Sequence, residues 1–494
     1  MTVRTRLAPS PTGYLHIGNL RTALYAYLWA RHNEWQFIVR IEDTDRTRLV
    51  EDAVDKIIGT LTLVGMRPDE GPHHDGGYGP YTQSERLSEY APRLRRLCEE
   101  GTAYYCFCTP ERLELLHEEQ VELHLAPGYD GHCRHLPLEE AHTKIAEGER
   151  YTIRLKVPKN ETLVFNDMIR GRIEFDTNQT DDTILLKSDG IYPTYHGAVV
   201  IDDHLMAISH VMRGEEWISS MPTQILTARA LGITLPEYAH LPLVLGNDSK
   251  KLSKRTGDAF VSDYLAKWYL VEALLNFLAL LGWHPGHDNE IMSMEEMIER
   301  FEITAIHKSG AVLDPIKLDW MNGEYIKKME IGELHMRLAS YLEEYEPDFY
   351  RDIFSQRDYT YNTRIIRELQ TRMKRFEEFI SLTSYLYGDS AVRRDLLANT
   401  KMKIESEADG LEALRFAIPL LETADYSSLE LLKGNILEAI AIAGKKNGQI
   451  LWPLRVALSG EEFSPGSFEL AYILGREESI RRIQKNISVP VIPA

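Results

Sequence analysis

The sequence predicts an α/β fold with a doubly wound parallel sheet near the amino terminus, followed by helical modules. Strand-type and helix-type hydrophobic periods alternate twice within the first 65 residues, and this βαβα order implies parallel pairing. After about residue 270 the helical period dominates. A chain of 494 residues is also long enough for three or more domains with their own cores.

The amino-terminal elements are predicted as two strands and two helices. Their bounds are strand 3–7, helix 16–31, strand 36–41 and helix 51–65. In a sheet of this type, ligands bind beyond the carboxyl ends of the strands. We therefore expect a functional site at the turn after the first strand and at Glu42, which follows the second strand.

The turn after the first strand leads directly to His16 and Gly18. Residues 9–13 are Pro-Ser-Pro-Thr-Gly, which ends the strand. His16 and Gly18 then fall at the helix start, where unpaired backbone N–H groups and the helix dipole attract phosphate. The imidazole could donate to a phosphate oxygen, and Gly18 has no Cβ to hold a ligand away. On its own, however, His-x-Gly is also typical of an ordinary helix start.

A second polar segment, residues 251–255, has the sequence Lys-Leu-Ser-Lys-Arg in a loop flanked by glycines. Its cations and hydroxyl could clamp a triphosphate and neutralise charge that develops during displacement. The residues concerned are Lys251, Ser253, Lys254 and Arg255. A lysine-rich run alone usually lies on a solvated loop. Its combination with His16 and Gly18, in this order, favours ATP chemistry.

These two segments resemble the HIGH and KMSKS signatures of class I aminoacyl-tRNA synthetases, specifically those of bacterial and organellar glutamyl-tRNA synthetases. Further motifs follow in the family's order. They include FIVRIEDTDR at 37–46, GPYTQSER at 79–86, LLKSDGIYPTYH at 185–196, RGEEW at 213–217 and KLDWMNGEYI at 317–326. The resemblance covers the whole chain and is strongest up to Ile326. It departs from the family at Val199, where most members carry asparagine, and at Asn19, a position that already varies among them.

The resemblance implies a Rossmann-like catalytic domain that is split by an inserted domain for the acceptor end of tRNA. The implied domains are the first catalytic half at 1–110, the insertion at 111–189, the second catalytic half at 190–245, the KLSKR loop and stem-contact domain at 246–330, and a helical anticodon-binding region at 331–494. The implied reaction is ATP-dependent ligation of L-glutamate to tRNA(Glu) through glutamyl adenylate.

The resemblance also implies roles for individual residues. The catalytic residues would be His16, Lys251 and Lys254. ATP, with its Mg2+, would contact Pro9, Ser10, Gly18, Asn19, Ser253, Lys254 and Arg255. Glutamate would contact Arg6, Ser10, Glu42, Tyr195 and Arg213.

Arg213 has a physical reason for its assignment as well. A guanidinium meets a carboxylate through two parallel hydrogen bonds, whereas the amide of glutamine would leave a donor facing it. The alternative is that Arg213 forms a surface ion pair with Glu215 or Glu216.

Cysteine and histidine residues form a C-x-C and a C-x-H pair separated by 24 residues. Thiolates and imidazoles are ligands that tetrahedral zinc prefers. The resemblance implies one structural Zn2+ per chain, and its expected ligands are Cys106, Cys108, Cys133 and His135. His132 is a rival ligand. The alternative is a set of inert buried thiols, which is what we expect for Cys98 on a helix face.

Charge and composition limit the possible partners. The net charge of −19 argues against indiscriminate binding to nucleic acid. Cations nevertheless cluster locally, at Arg364, Arg367, Arg372, Lys374, Arg375, Lys445 and Lys446. They form either solvated helix faces or a basic ridge that docks tRNA selectively. No apolar run is long enough to span a bilayer, and four cysteines do not make a disulfide framework, so we expect a cytoplasmic protein without a membrane partner.

The expected partners are tRNA(Glu), L-glutamate and ATP, and the expected state is a monomer. Whether tRNA(Gln) is also charged stays open. Two other functions fit parts of the pattern: a nucleotidyltransferase that acts on a metabolite, and a non-catalytic RNA-binding paralogue. The long helical region and the complete KLSKR motif argue against the first, and the retained site residues argue against the second.

Overall fold

The structure, a computed structural model, describes residues 3–246, 250 and 260–488. The chain divides into two compact units, Met1–Leu318 and Asp319–Ala494. The predicted clamp at 251–255 lies outside the described residues.

The first unit contains both strands and helices. Its strands are β1 (Arg4–Leu7), β2 (Gln36–Val39), β3 (Ala103–Cys106), β4 (Thr152–Leu155), β5 (Thr162–Asp167), β6 (Gly171–Asp176), β7 (Ile184–Leu186), β8 (His210–Gly214), β9 (Glu237–Leu241), β10 (Val244–Leu245) and β11 (Ala311–Val312). Its helices are α1 (Ile17–His32), α2 (Ala53–Leu63), α3 (Leu87–Glu99), α4 (Pro110–Glu122), α5 (Leu138–Ala146), α6 (Tyr195–Leu205), α7 (Met221–Leu231), α8 (Val261–Ala266), α9 (Val271–Ala279), α10 (Met294–Arg300) and α11 (Pro315–Lys328), within which the unit ends.

A six-stranded sheet organises this unit, in the spatial order β2-β1-β8-β9-β5-β6. Every neighbouring pair is parallel except the β5–β6 hairpin, which is antiparallel. All four residues of β1 are buried, without the alternation of a one-sided sheet, as expected for a parallel strand that is covered on both faces. The predicted α/β class and the parallel pairing are confirmed.

The β5–β6 hairpin lies within the stretch predicted as an insertion, yet it extends the main sheet. Asp167 at the end of β5 pairs with Tyr238 of β9. The sequence predicts strands at 151–157 and 183–187 within this stretch. They are observed as β4 and β7, which join β3 in a separate antiparallel sheet.

The second unit is built from helices. They are α12 (Ile331–Tyr345), α13 (Pro347–Phe349), α14 (Tyr359–Leu369), α15 (Glu378–Tyr387), α16 (Glu407–Thr423), α17 (Leu429–Ile442), α18 (Asn447–Ser459) and α19 (Ser467–Ser488). Within α19, Gly475 has φ 78° and interrupts the helical backbone. Across the ranges that the structure describes, no helix combines the length and the apolar character needed to cross a bilayer.

The apolar period of residues 363–386 predicts one helix, but the structure has two helices there, α14 and α15. The side chain of Gln370 donates to the backbone carbonyls of Ile326 and Met329, at 3.0 and 2.6 Å. Met373 and Phe376, in the connecting turn, are buried. These contacts within the second unit stabilise the turn between α14 and α15, although the apolar period of the sequence continues through it.

Candidate active site

A cleft of about 590 Å³ opens at the carboxyl ends of β1, β2, β8 and β9. This is where a doubly wound sheet places its ligand site. The described residues that were predicted to be catalytic, or to contact ATP or glutamate, all line it. They are Arg6, Pro9, Ser10, His16, Gly18, Asn19, Glu42, Tyr195 and Arg213. The structure therefore brings together residues that lie up to 207 positions apart in the sequence, from Arg6 to Arg213.

His16 is the N-cap of α1, and its side chain folds back over the helix start. Its Nδ1 accepts a hydrogen bond from the backbone N–H of Gly18 at 3.1 Å. A neutral imidazole with Nδ1 as acceptor carries its proton on Nε2. The Gly18 N–H is thus already paired, which corrects the expectation that it would be left for a phosphate. A Cβ at position 18 would lie 3.3 Å from this Nδ1, so glycine gives the imidazole its room.

The first described residue after the predicted clamp, Phe260, lies next to His16. The two residues form an isolated antiparallel backbone bridge, and their rings meet edge to face at a centroid distance of 6.4 Å. The N–H of Val261 also donates to the carbonyl of Leu15 at 3.0 Å. The chain that follows residues 251–259 is therefore fastened to the loop that carries His16.

Arg213, at the end of β8, is held by hydrogen bonds from three of its nitrogens. Nε donates to His240 Nε2 at 3.0 Å, Nη1 donates to the Tyr195 hydroxyl at 2.9 Å, and Nη2 donates to Gln224 Oε1 at 3.1 Å. Arg213 is only 5% exposed. The alternative of a surface ion pair is therefore wrong.

A buried ionic network supports the cleft residues Arg6 and Glu42. Arg40, which is fully buried, donates to Asp203 at 2.6 Å and to Glu42 at 3.0 Å. Arg6 also contacts Asp203, at 3.3 Å. Burial raises the pKa of Glu42, while Arg40 and Arg6 oppose that rise. The network fixes the Glu42 carboxylate at the cleft wall.

Sequence reasoning did not identify Arg40 or Asp203 as part of the site. Arg40 could have been recognised because it is a cation directly after the apolar strand β2, and a buried charge needs a partner of opposite charge. Val199, where the family asparagine was expected, is 1% exposed and packs in an apolar cluster with Leu94 and Leu185 instead of lining the cleft. The side-chain amide that contacts Arg213 comes from Gln224.

The structure brings together three of the four predicted zinc ligands. The sulfurs of Cys106, Cys108 and Cys133 all lie within 4.8 Å of one another. His135 is exposed and is not part of this group. The Tyr129 hydroxyl lies beside the sulfurs instead, 3.3 Å from Cys106 and 3.5 Å from Cys108. A compact set of three thiols is compatible with zinc.

The rival ligand His132 is exposed and also lies outside the sulfur group. Cys98 is buried in a different, apolar cluster. Burial raises the pKa of its thiol to about 12, so the thiol stays protonated at neutral pH. Cys98 is therefore the inert buried thiol that the sequence predicted.

Several of the clustered cations in the second unit already have partners there. Arg364 lies over the ring of Tyr472, 4.3 Å from its centroid. Arg375 pairs with Asp319 at 3.5 Å and with Glu377 at 2.6 Å. The sequence suggested either solvated faces or a basic ridge, and the two carboxylates beside Arg375 reduce the positive charge at that position.

Two family models match the chain. The catalytic domain of class I tRNA synthetases "E and Q" matches residues 2–320, and an anticodon-binding domain matches residues 333–487. A glutamate–tRNA ligase from Clostridium acetobutylicum is 45% identical, with 98% of each chain covered. One from Clostridium botulinum (strain Eklund 17B) is also 45% identical, with 99% of each covered.

Solved structures show the same similarity in three dimensions. A glutamate tRNA ligase from Elizabethkingia meningosepticum, in complex with its amino acid, superposes with a TM-score of 0.88 at 34% identity, with 99% of each chain covered. A glutamate-tRNA synthetase from Elizabethkingia anophelis gives a TM-score of 0.87 at 35% identity, covering 99% of this chain and all of that one.

Proposed function

Because this chain belongs to the class I tRNA synthetases for glutamate and glutamine, we propose that the cleft at the carboxyl ends of β1, β2, β8 and β9 forms glutamyl adenylate and transfers the glutamyl group to tRNA. The enzyme catalyses ATP-dependent ligation of glutamate to tRNA, and glutamate, ATP and tRNA are its partners.

The observation that carries the proposal is that one cleft contains both kinds of recognition the reaction needs. The Nε2–H of His16 suits a phosphate oxygen, while Arg213 and Glu42 suit the two ends of an amino acid with an acidic side chain. In this assignment Arg213 pairs with the side-chain carboxylate, and Glu42 holds the α-ammonium group. Arg6, Ser10 and Tyr195 complete the glutamate pocket.

In the first step, the α-carboxylate of glutamate attacks the α-phosphate of Mg2+-bound ATP, and pyrophosphate leaves. The His16 Nε2–H donates to a phosphate oxygen, and Lys251 and Lys254 neutralise the charge that develops in the transition state. Positioning and charge stabilisation suffice, because no covalent enzyme intermediate is required. ATP is held by Pro9, Ser10, Gly18 and Asn19, together with Ser253, Lys254 and Arg255.

In the second step, a hydroxyl of the terminal ribose of tRNA attacks the glutamyl carbonyl, and AMP leaves. We assign residues 111–189 to the acceptor end of tRNA and 331–494 to the anticodon, with the split catalytic domain at 1–110 and 190–245 and the stem-contact domain at 246–330. The anticodon-domain match to residues 333–487 supports the second of these assignments. We infer a monomer that works in the cytoplasm, where tRNA is charged for translation.

We also propose one structural Zn2+ at the sulfur group, held by Cys106, Cys108 and Cys133. A bound zinc would supply no reaction chemistry and would only pin the segment between the cysteines. The Tyr129 oxygen lies beside these sulfurs, whereas His135 does not. Metal analysis of protein purified without chelators tests the proposal, and less than half an equivalent of zinc would contradict it.

Aminoacylation of purified tRNAs with labelled glutamate tests the proposed function. We expect labelled tRNA(Glu) that requires Mg2+-bound ATP, and the same assay with tRNA(Gln) decides whether that tRNA is also a substrate. Release of pyrophosphate without labelled tRNA would instead favour a nucleotidyltransferase that acts on a metabolite. Absence of both would favour a non-catalytic RNA-binding protein.

A further inference from the structure

We propose that Asp167 and His240, which do not line the cleft, are positioning residues that orient the guanidinium of Arg213 toward the side chain of glutamate. The three residues form one buried hydrogen-bonded chain. Asp167 Oδ2 lies 2.7 Å from His240 Nδ1, and His240 Nε2 lies 3.0 Å from Arg213 Nε. This inference rests on the proposed role of Arg213 in the glutamate pocket.

The sheet brings the three residues together across long sequence separations. Arg213 and His240 are register partners in the parallel pair β8–β9. Asp167 ends β5, the next strand, where it pairs with Tyr238, two residues before His240. The side chains of Asp167 and His240 are both fully buried. Because all three lie on adjacent strands of one sheet, their geometry is rigid.

The chemistry of the partners fixes the protonation state of His240. A guanidinium can only donate, so Nε2 facing Arg213 must be an acceptor. An ionised carboxylate can only accept, so Nδ1 facing Asp167 must carry the proton. His240 is therefore a neutral imidazole in a single tautomer, and the opposite tautomer would place two N–H groups against each other.

Hydrogen bonds to both of its oxygens also fix the orientation of the Asp167 carboxylate. Its Oδ1 accepts from the backbone N–H groups of Ile169 and Arg170, at 2.9 and 2.8 Å. Its Oδ2 accepts from His240 twice, from the ring and from the backbone N–H at 3.1 Å. Burial alone would raise the pKa of Asp167, but these hydrogen bonds lower it, so the carboxylate stays ionised.

This chain determines which edge of the guanidinium a ligand can meet. His240 occupies Nε–H, so the edge that combines Nε with a terminal nitrogen is closed to a carboxylate. A carboxylate must therefore meet the terminal nitrogens, of which Nη1 donates to Tyr195 and Nη2 donates to Gln224 and to the Trp217 carbonyl and also contacts the Met221 sulfur. Tyr238 supports one face of the guanidinium at 4.9 Å from its ring centroid, and Gln224 accepts from Nη2. The guanidinium is therefore oriented before glutamate binds, which favours affinity.

A pair of substitutions at His240 separates positioning from packing. His240→Gln keeps an acceptor near the Nε2 position for Arg213, whereas His240→Asn is too short to reach it. We expect His240→Asn to raise the KM for glutamate about tenfold or more, because a hydrogen bond to a charged group is lost. His240→Gln should stay within about threefold of the wild type, and the KM for ATP should change little in both variants.

Asp167→Asn provides a second variant with almost no change in volume. The two oxygens of Asp167 accept from four N–H groups, and asparagine has only one side-chain oxygen. Its NH2 group must therefore face N–H donors, and His240 loses the partner that fixes its tautomer. The KM for glutamate should rise here too. The matched control is His210→Asn, a buried histidine on the same strand β8 that does not line the cleft. Its KM for glutamate should equal that of the wild type.

Each protein is measured by tRNA aminoacylation with labelled glutamate and by thermal unfolding. An unchanged KM for glutamate in His240→Asn, or an equal rise in His240→Gln, would overturn the inference, as would a parallel rise in the KM for ATP. If His240→Asn does not fold, Asp167→Asn decides by the same criterion. If the wild type itself charges no tRNA with glutamate, the proposed function fails, which is a different result from a variant that matches an active wild type.

Discussion

Replacing Arg213 with lysine should weaken glutamate binding selectively. Lysine keeps the positive charge, but it has one nitrogen where arginine uses three. In the structure those three nitrogens donate to His240, Tyr195 and Gln224 at 3.0, 2.9 and 3.1 Å. A single ammonium group cannot keep these bonds and also present two parallel donors to a carboxylate.

The expected size of the effect follows from the loss of one charge-assisted hydrogen bond to the glutamate side chain. Such a bond contributes about 1.5–3 kcal/mol, and about 1.4 kcal/mol corresponds to a factor of ten, so the KM for glutamate should rise roughly 10- to 140-fold. The KM for ATP should stay near the wild-type value, because the phosphates are assigned to the His16 side of the cleft.

The assay is aminoacylation with labelled glutamate at saturating ATP and tRNA, repeated with ATP as the varied substrate. Arg229→Lys is the matched control, because Arg229 is about half exposed, pairs with Glu161 and does not line the cleft. An Arg213→Lys enzyme whose KM for glutamate stays within twofold of the wild type would refute the assigned role. Equal losses for glutamate and ATP would show that the substitution disturbs the whole cleft.

Three further predictions test other parts of the site. Lys254→Ala should slow adenylate formation roughly a hundredfold or more with little change in glutamate binding, and near-normal pyrophosphate exchange would remove this lysine from its role. Burial raises the pKa of Glu42 above 4.5. As the pH falls through that raised pKa, the carboxylate is protonated and no longer attracts the ammonium group of glutamate. The KM for glutamate should therefore rise at acidic pH in the wild type, and this rise should be absent in Glu42→Gln. The same pH dependence of the KM in both proteins would contradict the assigned role of Glu42. Cys108→Ser should reduce bound zinc below half an equivalent while Cys98→Ser retains it, and equal zinc in both proteins would count against the sulfur site.

Local features of the fold could be predicted from the sequence because they depend on local periodicity. The helix predicted at 16–31 is observed at Ile17–His32, with His16 as its cap. The strand predicted at 36–41 is observed at Gln36–Val39. The helix bounds differ by one residue at each end, and the strand begins as predicted but ends two residues earlier, which is the usual uncertainty of a helix or strand boundary. The cleft also lies where parallel pairing implies, because strand order and ligand position are coupled in such sheets.

Long-range features could not be predicted, because no local signal encodes them. Nothing near Asp167 or His240 in the sequence shows that parallel pairing brings both to Arg213, across separations of 46 and 27 residues. The exposure of His135 likewise depends on how the chain turns after Cys133, which a spacing pattern does not determine. Residue types and the resemblance to class I synthetases together indicated the chemistry of the site, whereas the sheet register determines which side chains meet.

The most direct test of the central claim is a crystal structure with a non-hydrolysable analogue of glutamyl adenylate. We expect the phosphate group to contact His16, the glutamate side-chain carboxylate to meet Nη1 and Nη2 of Arg213, and the ammonium group to contact Glu42. An analogue bound outside this cleft, or bound with its side-chain carboxylate away from Arg213, would contradict these assignments.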